Sequence, residues 1–136
     1  MTSRFVVSIF AIATGCLCQP ADTPFACNLK AFTPAQRARH RDLSRRLPPA
    51  VVAAEERSNG YALSVDPRRL SVAEVAEWMD LERKCCPFFD FTLDLQGESG
   101  ALRLVLAGRD GVKQFIRMEF AELREKLEGA KKLSVP

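Results

Sequence analysis

A chain of 136 residues and 15.1 kDa, with 47% hydrophobic and 27% charged residues, excludes wholesale disorder and a fibrous repeat, and it is long enough for one domain with a buried core. Its net charge of +3 is too small to signal a nucleic-acid or membrane partner by itself. Five cysteines and a single histidine are the unusual features.

Arg4 precedes an apolar run from Phe5 to Ala13, interrupted only by Ser8. A charged start, a short apolar stretch and then small residues read as a secretory signal. The run is too short for a transmembrane span, which needs about 20 apolar residues. Ala13-Thr14-Gly15-Cys16 resembles a bacterial lipoprotein cleavage box, in which Cys16 would be lipidated, although Ala stands where Leu is commonest. Gln19 to Pro24 reads as a linker, with Cys18 before it as a candidate extra thiol. The expected division is a leader and linker over residues 1–24 and a single α+β domain over 25–136. That division places the protein in the cell envelope or periplasm, lipid-anchored if Cys16 is modified. A start codon set too early is the competing reading, with a cytoplasmic protein beginning near Phe25.

Thr33-Pro34-Ala35-Gln36 is a capping box with Pro at the first helical position. It predicts a helix from Pro34 to about Leu47, stopped by Pro48-Pro49. Gln36, His40, Leu43 and Leu47 share one face. Five arginines, at positions 37, 39, 41, 45 and 46, mostly lie elsewhere. Such a face can hold phosphates, but no aromatic platform interleaves the charges, so a solvated surface is preferred over nucleic acid. Val51 to Arg57, Asn59-Gly60 and the alternating Tyr61, Leu63 and Val65 predict a hairpin. Ser71-Val72-Ala73-Glu74 is a second capping box, opening a helix that runs to about Cys85, with Val72, Val75, Trp78 and Met79 as its core stripe. Phe91, Leu93 and Leu95, then Leu102, Leu104 and Leu106, predict a second hairpin across the turn at Gln96 to Gly100. Asp110 can cap a last helix from Gly111 to about Leu127, with Glu122 and Lys126 as a favourable pair. The expected fold is helix–hairpin–helix–hairpin–helix, a four-stranded antiparallel sheet with helices on one face.

The chemistry concentrates in Glu82-Arg83-Lys84-Cys85-Cys86-Pro87-Phe88-Phe89, with Cys27 lying 58 residues before Cys85. Adjacent cysteines cannot easily bond to each other, because their Cα atoms sit about 3.8 Å apart and a disulfide prefers about 4.4–6.8 Å. In a regular helix they would point about 100° apart. Pro87 frees Cys86 from helical dihedrals, so both sulfurs can converge on one point. Adding Cys27 gives a three-thiolate site suited to soft or borderline ions. Three sulfurs alone suit Hg(II) or As(III), and a fourth ligand from His40 or Glu82 would suit Zn(II). A helix C-terminus disfavours thiolates, while Arg83 and Lys84 oppose that field.

Three readings follow. The preferred one is a soft-metal or metalloid binding protein, with Cys27, Cys85 and Cys86 as ligands and Glu82 and His40 as auxiliary groups. The second is a small envelope protein with a structural disulfide from Cys27 and no catalytic activity. The third is a thiol-dependent enzyme with Glu82 as its acid or base. Cysteines that merely fill the core are the bland alternative, as is a packed, hydrogen-bonded His40.

The Cys-Cys-Pro-Phe-Phe stretch after Glu82-Arg83 and before Phe91 resembles a family of small bacterial proteins with no assigned activity. Ala26 to Leu29 and Gly108 to Phe115 are similar to that family as well, so the resemblance covers about Phe25 to Leu127. It implies no catalytic residue. It carries an association with heavy-metal handling, and the leader is this chain's departure from it.

Overall fold

The computed structural model describes residues 25–132; the expected signal, Cys16 and Cys18 lie outside them. The elements in chain order are α1 (Pro34–Ala50), β1 (Val51–Arg57), β2 (Gly60–Val65), α2 (Val72–Cys85), β3 (Asp90–Leu95), β4 (Leu102–Ala107), α3 (Val112–Glu119), α4 (Arg124–Glu128) and a two-residue β5 (Lys131–Lys132), with 3-10 turns at Leu29–Ala31 and Ala121–Leu123. The class is α+β, as the sequence patterns predict. The strand order is β3-β4-β2-β1-β5. The four long strands are antiparallel, and β5 adds two parallel pairs at the β1 edge.

Strand alternation fixes which sheet face is dry. Tyr61, Leu63 and Val65 of β2 stand opposite Leu106, Leu104 and Leu102 of β4, and all six are buried. They share one core with Leu43 and Leu47 of α1, Val75, Trp78 and Leu81 of α2, Phe115 and Ile116 of α3, and Leu127 of α4. Fully burying one such side chain contributes about 1.5–3 kcal/mol. Trp78, fully buried, satisfies its indole N–H by donating to Ser44 Oγ at 3.1 Å. On the opposite face Glu55 and Arg103 form a 3.4 Å ion pair.

Both capping boxes form. Thr33 Oγ1 accepts from the Gln36 N–H and Ser71 Oγ from the Glu74 N–H, and each acid or amide side chain returns a bond. Four local expectations need correction. First, α1 continues through Pro48-Pro49 to Ala50. Its exposed carbonyls find tertiary donors: Lys126 Nζ on Pro48 O, Arg69 Nη1 on Pro49 O and the Asp66 N–H on Ala50 O. Lys126 therefore turns toward α1 rather than toward Glu122. Second, the hairpin loop is Ser58-Asn59, because Arg57 pairs with Gly60. Gly60 is needed for close approach, since a Cβ there would lie 2.0 Å from Leu106 O. Third, α3 is capped by Gly111 at φ 95°, with no side-chain bond from Asp110. Fourth, the last helix breaks at Phe120, whose ring meets Trp78 edge-on at 6.1 Å.

Candidate metal centre

Cys85 is the last residue of α2 and Cys86 its C-cap, at φ −123° and ψ 72°. Pro87 enforces that departure from helical geometry. The Phe89 N–H then returns to Cys86 O at 3.3 Å, closing a turn with Pro87 in its second position. This turn swings the Cys86 sulfur back toward the helix end instead of letting it continue around the helix.

Cys27 arrives from the other end of the chain and is held by two anchors. The Asn28 N–H donates to Cys85 O at 2.9 Å, satisfying one of the carbonyls left open at the end of α2. Two residues before Cys27, the Phe25 ring packs edge-on against Phe88 at 5.0 Å and stacks on Phe115 at 6.1 Å, with the Arg109 guanidinium over the ring at 4.1 Å from its centroid. The segment carrying Cys27 is thereby fixed to both the Cys-Cys-Pro turn and α3.

The result is a compact set of three free thiols. Their Sγ atoms all lie within 4.8 Å of one another, close enough to hold one ion. Cys27 Sγ and Cys86 Sγ are 2.9 Å apart. Three sulfurs bound at about 2.3 Å to a trigonal ion would sit about 4.0 Å from each other, so only small sulfur movements separate this arrangement from a liganded one. Cys85 and Cys86 have no solvent exposure, and Cys27 is half-buried.

The three thiols are electrostatically unequal. The hydrogen bond from Cys86 lowers the pKa of Cys27, against burial and the charges of Glu119 and Glu82. Burial pushes Cys85 up to about 12, aided by the neighbouring Cys27 and Glu82 charges. Cys86 is raised further, first because it donates to Cys27 and then by burial. Cys27 is therefore the most readily ionised of the three thiols, and it is also the most exposed.

The other two sequence-predicted groups adjoin this set and pair with each other. His40 Nε2 meets Glu82 Oε2 at 2.5 Å, with side chains 14% and 5% exposed. Phe32 packs on the imidazole at 4.9 Å. Ser44 Oγ also approaches His40 Nε2, at 3.5 Å. A serine–histidine–acid relay needs both ring nitrogens, one toward the hydroxyl and one toward the acid. Here both partners crowd the same nitrogen, so the geometry is that of a packed polar cluster. Sequence reasoning missed Glu119, whose Oε1 lies 3.8 Å from Cys27 Sγ. No spacing signal links position 119 to position 27; only the fold brings them together.

A cavity of about 370 Å³ opens over the thiols. Its lining includes Cys27 and Cys85, the polar His40, Ser44 and Glu82, and the apolar Leu29 and Phe120. Among the described residues no helix is long and apolar enough to cross a membrane. Three of the α1 arginines are engaged within the chain: Arg39 with Glu77 and Asp42, Arg46 with Glu74, and Arg37 with Leu29 O. Compared with known proteins, the chain matches no family model, no curated protein and no solved structure.

Proposed function

We propose that this protein binds a soft metal ion or trivalent metalloid through Cys27, Cys85 and Cys86 and serves in heavy-metal handling. The observation that carries the reading is the convergence of three free thiols, from two segments far apart in sequence, within 4.8 Å. Chance core cysteines have no reason to meet at a turn that breaks a helix. Soft thiolates favour thiophilic ions over hard ones. Among these, three-sulfur ions suit the site best, because the ligand atoms gathered within 4.8 Å of one another are three sulfurs with no ring nitrogen among them. Zn(II) would draw its fourth ligand from water or Glu119.

Cys27 is the entry point. Its thiolate takes the ion first, and Cys85 and Cys86 follow with loss of their protons. A divalent ion releases a proton for every thiol it binds, so its affinity rises with pH. As(OH)₃ plus three thiols gives As(SR)₃ and three waters, with no net proton released. The pH dependence of binding thus separates the two classes.

The test is native mass spectrometry of the full chain with Cys16 and Cys18 replaced by Ser, kept reduced and titrated with arsenite, Hg(II) and Zn(II). A one-to-one adduct lost on Cys27→Ser, Cys85→Ser or Cys86→Ser is expected. An adduct that survives all three replacements would overturn the reading. The 2.9 Å contact between Cys27 and Cys86 favours one alternative, a structural disulfide in an exported protein. An ion-free protein that keeps a Cys27–Cys86 bond without reductant, and loses stability when the bond is reduced, would establish that alternative.

A further inference from the structure

A bare ion among three thiols needs no cavity. This site has one of about 370 Å³, and only two of the three cysteines, Cys27 and Cys85, border it. Cys86 is not in its lining and lies 2.9 Å from Cys27, sulfur to sulfur. A benzene-sized group needs about 150 Å³, so the space over the thiols takes an organic substituent with room to spare. Leu29, 49% exposed, and Phe120 give that substituent an apolar wall. Three carboxylates, Glu82, Glu119 and Glu122, border the same space, opposed by Arg37 and Arg41. A ligand that leaves new negative charge on the sulfurs would be disfavoured there.

Resting on the three-thiol reading, we propose that the site's preferred ligand is a trivalent arsenical carrying one organic group, bound by Cys27 and Cys85 with the organic group in the cavity. The two exchangeable positions of such a ligand match the two thiols that border the cavity. The exchange is R–As(OH)₂ plus two thiols giving R–As(S–Cys)₂ and two waters. Two As–O bonds are replaced by two As–S bonds, the thiol protons leave in the waters, and arsenic stays trivalent. The product is neutral and adds no charge beside Glu82, Glu119 and Glu122. The half-buried Cys27 makes the first bond, and Cys85 beneath it makes the second.

Phenylarsine oxide, which hydrates to such a ligand, is the probe, compared with arsenite on the reduced full chain lacking Cys16 and Cys18. A one-to-one phenylarsenical adduct is expected, lost on Cys27→Ser or Cys85→Ser and retained on Cys86→Ser, whereas arsenite binding needs all three thiols. Leu29→Trp narrows the cavity at a surface-accessible wall position. It should weaken phenylarsine oxide by about tenfold or more while arsenite affinity holds. Leu29→Ala, which removes part of the wall without filling the space, should weaken phenylarsine oxide less than Leu29→Trp does, and an unchanged circular dichroism spectrum of both variants is the folding control. Arsenite binding without phenylarsine oxide binding would overturn this proposal and leave the three-thiol reading standing. So would equal loss of both reagents in a folded Leu29→Trp protein, no loss of either, or phenylarsenical binding that needs Cys86 and not Cys85. Failure of both reagents to bind would bring down the three-thiol reading itself.

Discussion

The two ends of α2 meet the same physical problem with opposite means. Every helix leaves N–H groups open at its start and carbonyls open at its end. At the start, Ser71 and Glu74 satisfy the open N–H groups within four residues, and the Arg46 guanidinium with the Ser71 bonds holds the Glu74 carboxyl down to about 2. At the finish, the Cys85 carbonyl waits for the Asn28 N–H, and burial holds the Cys85 thiol up to about 12. One end displays a charge at the surface; the other withholds charge until something replaces its protons. The first arrangement stabilises the helix and the second is suited to bind. The local end can therefore fail without touching the site, whereas the distal end joins site and fold.

The sharpest break is at the thiols. Cys27→Ser should lower soft-ion affinity by more than the roughly 100-fold that loss of a supporting group costs, measured by competition with a chromophoric chelator. Its effect on the ion-free protein's stability should be small, because Cys27 is only half-buried. Next comes the joint. Asn28→Pro removes the donor to Cys85 O, which should destabilise the fold by about 1–3 kcal/mol in urea and weaken ion binding together. A variant that loses stability but binds the ion as before would show the two to be independent. At the local end, Ser71→Ala should cost about 1 kcal/mol with ion affinity unchanged, a result that sharpens the contrast.

The smallest effect lies in pH. Glu74's pKa is depressed in the folded chain, so its contribution is present above the ordinary carboxylate value of about 4.3 and is lost as pH falls toward about 2. Glu74→Gln should flatten the acid limb of a stability-against-pH curve in that window, by lowering stability at neutral pH toward its acid value and leaving the acid value little changed.

The same contrast explains what the sequence made legible. Capping boxes, hairpin alternation and the proline after Cys86 are local signals, and the elements they predict are present. The extension of α1 through Pro48-Pro49 depends on Arg69, Asp66 and Lys126, none of them local. Gly60 suggested a turn by its neighbour Asn59, but the close approach of β4 is the constraint it answers. At the site, residue chemistry singled out Cys27, Cys85 and Cys86. Their meeting required Phe25 to dock on Phe88 and Phe115 and Asn28 to find Cys85. Glu119 left no trace in the sequence because its relation to Cys27 exists only after α3 has packed.

Asn28 is a surface residue, and its amide proton would ordinarily trade with water quickly. Docked on the end of α2, it exchanges only when the segment lifts away. A ligand that gathers Cys27 to Cys85 and Cys86 ties down the same segment. The exchange rate of this single proton is therefore a built-in gauge of occupancy, readable without touching a sulfur.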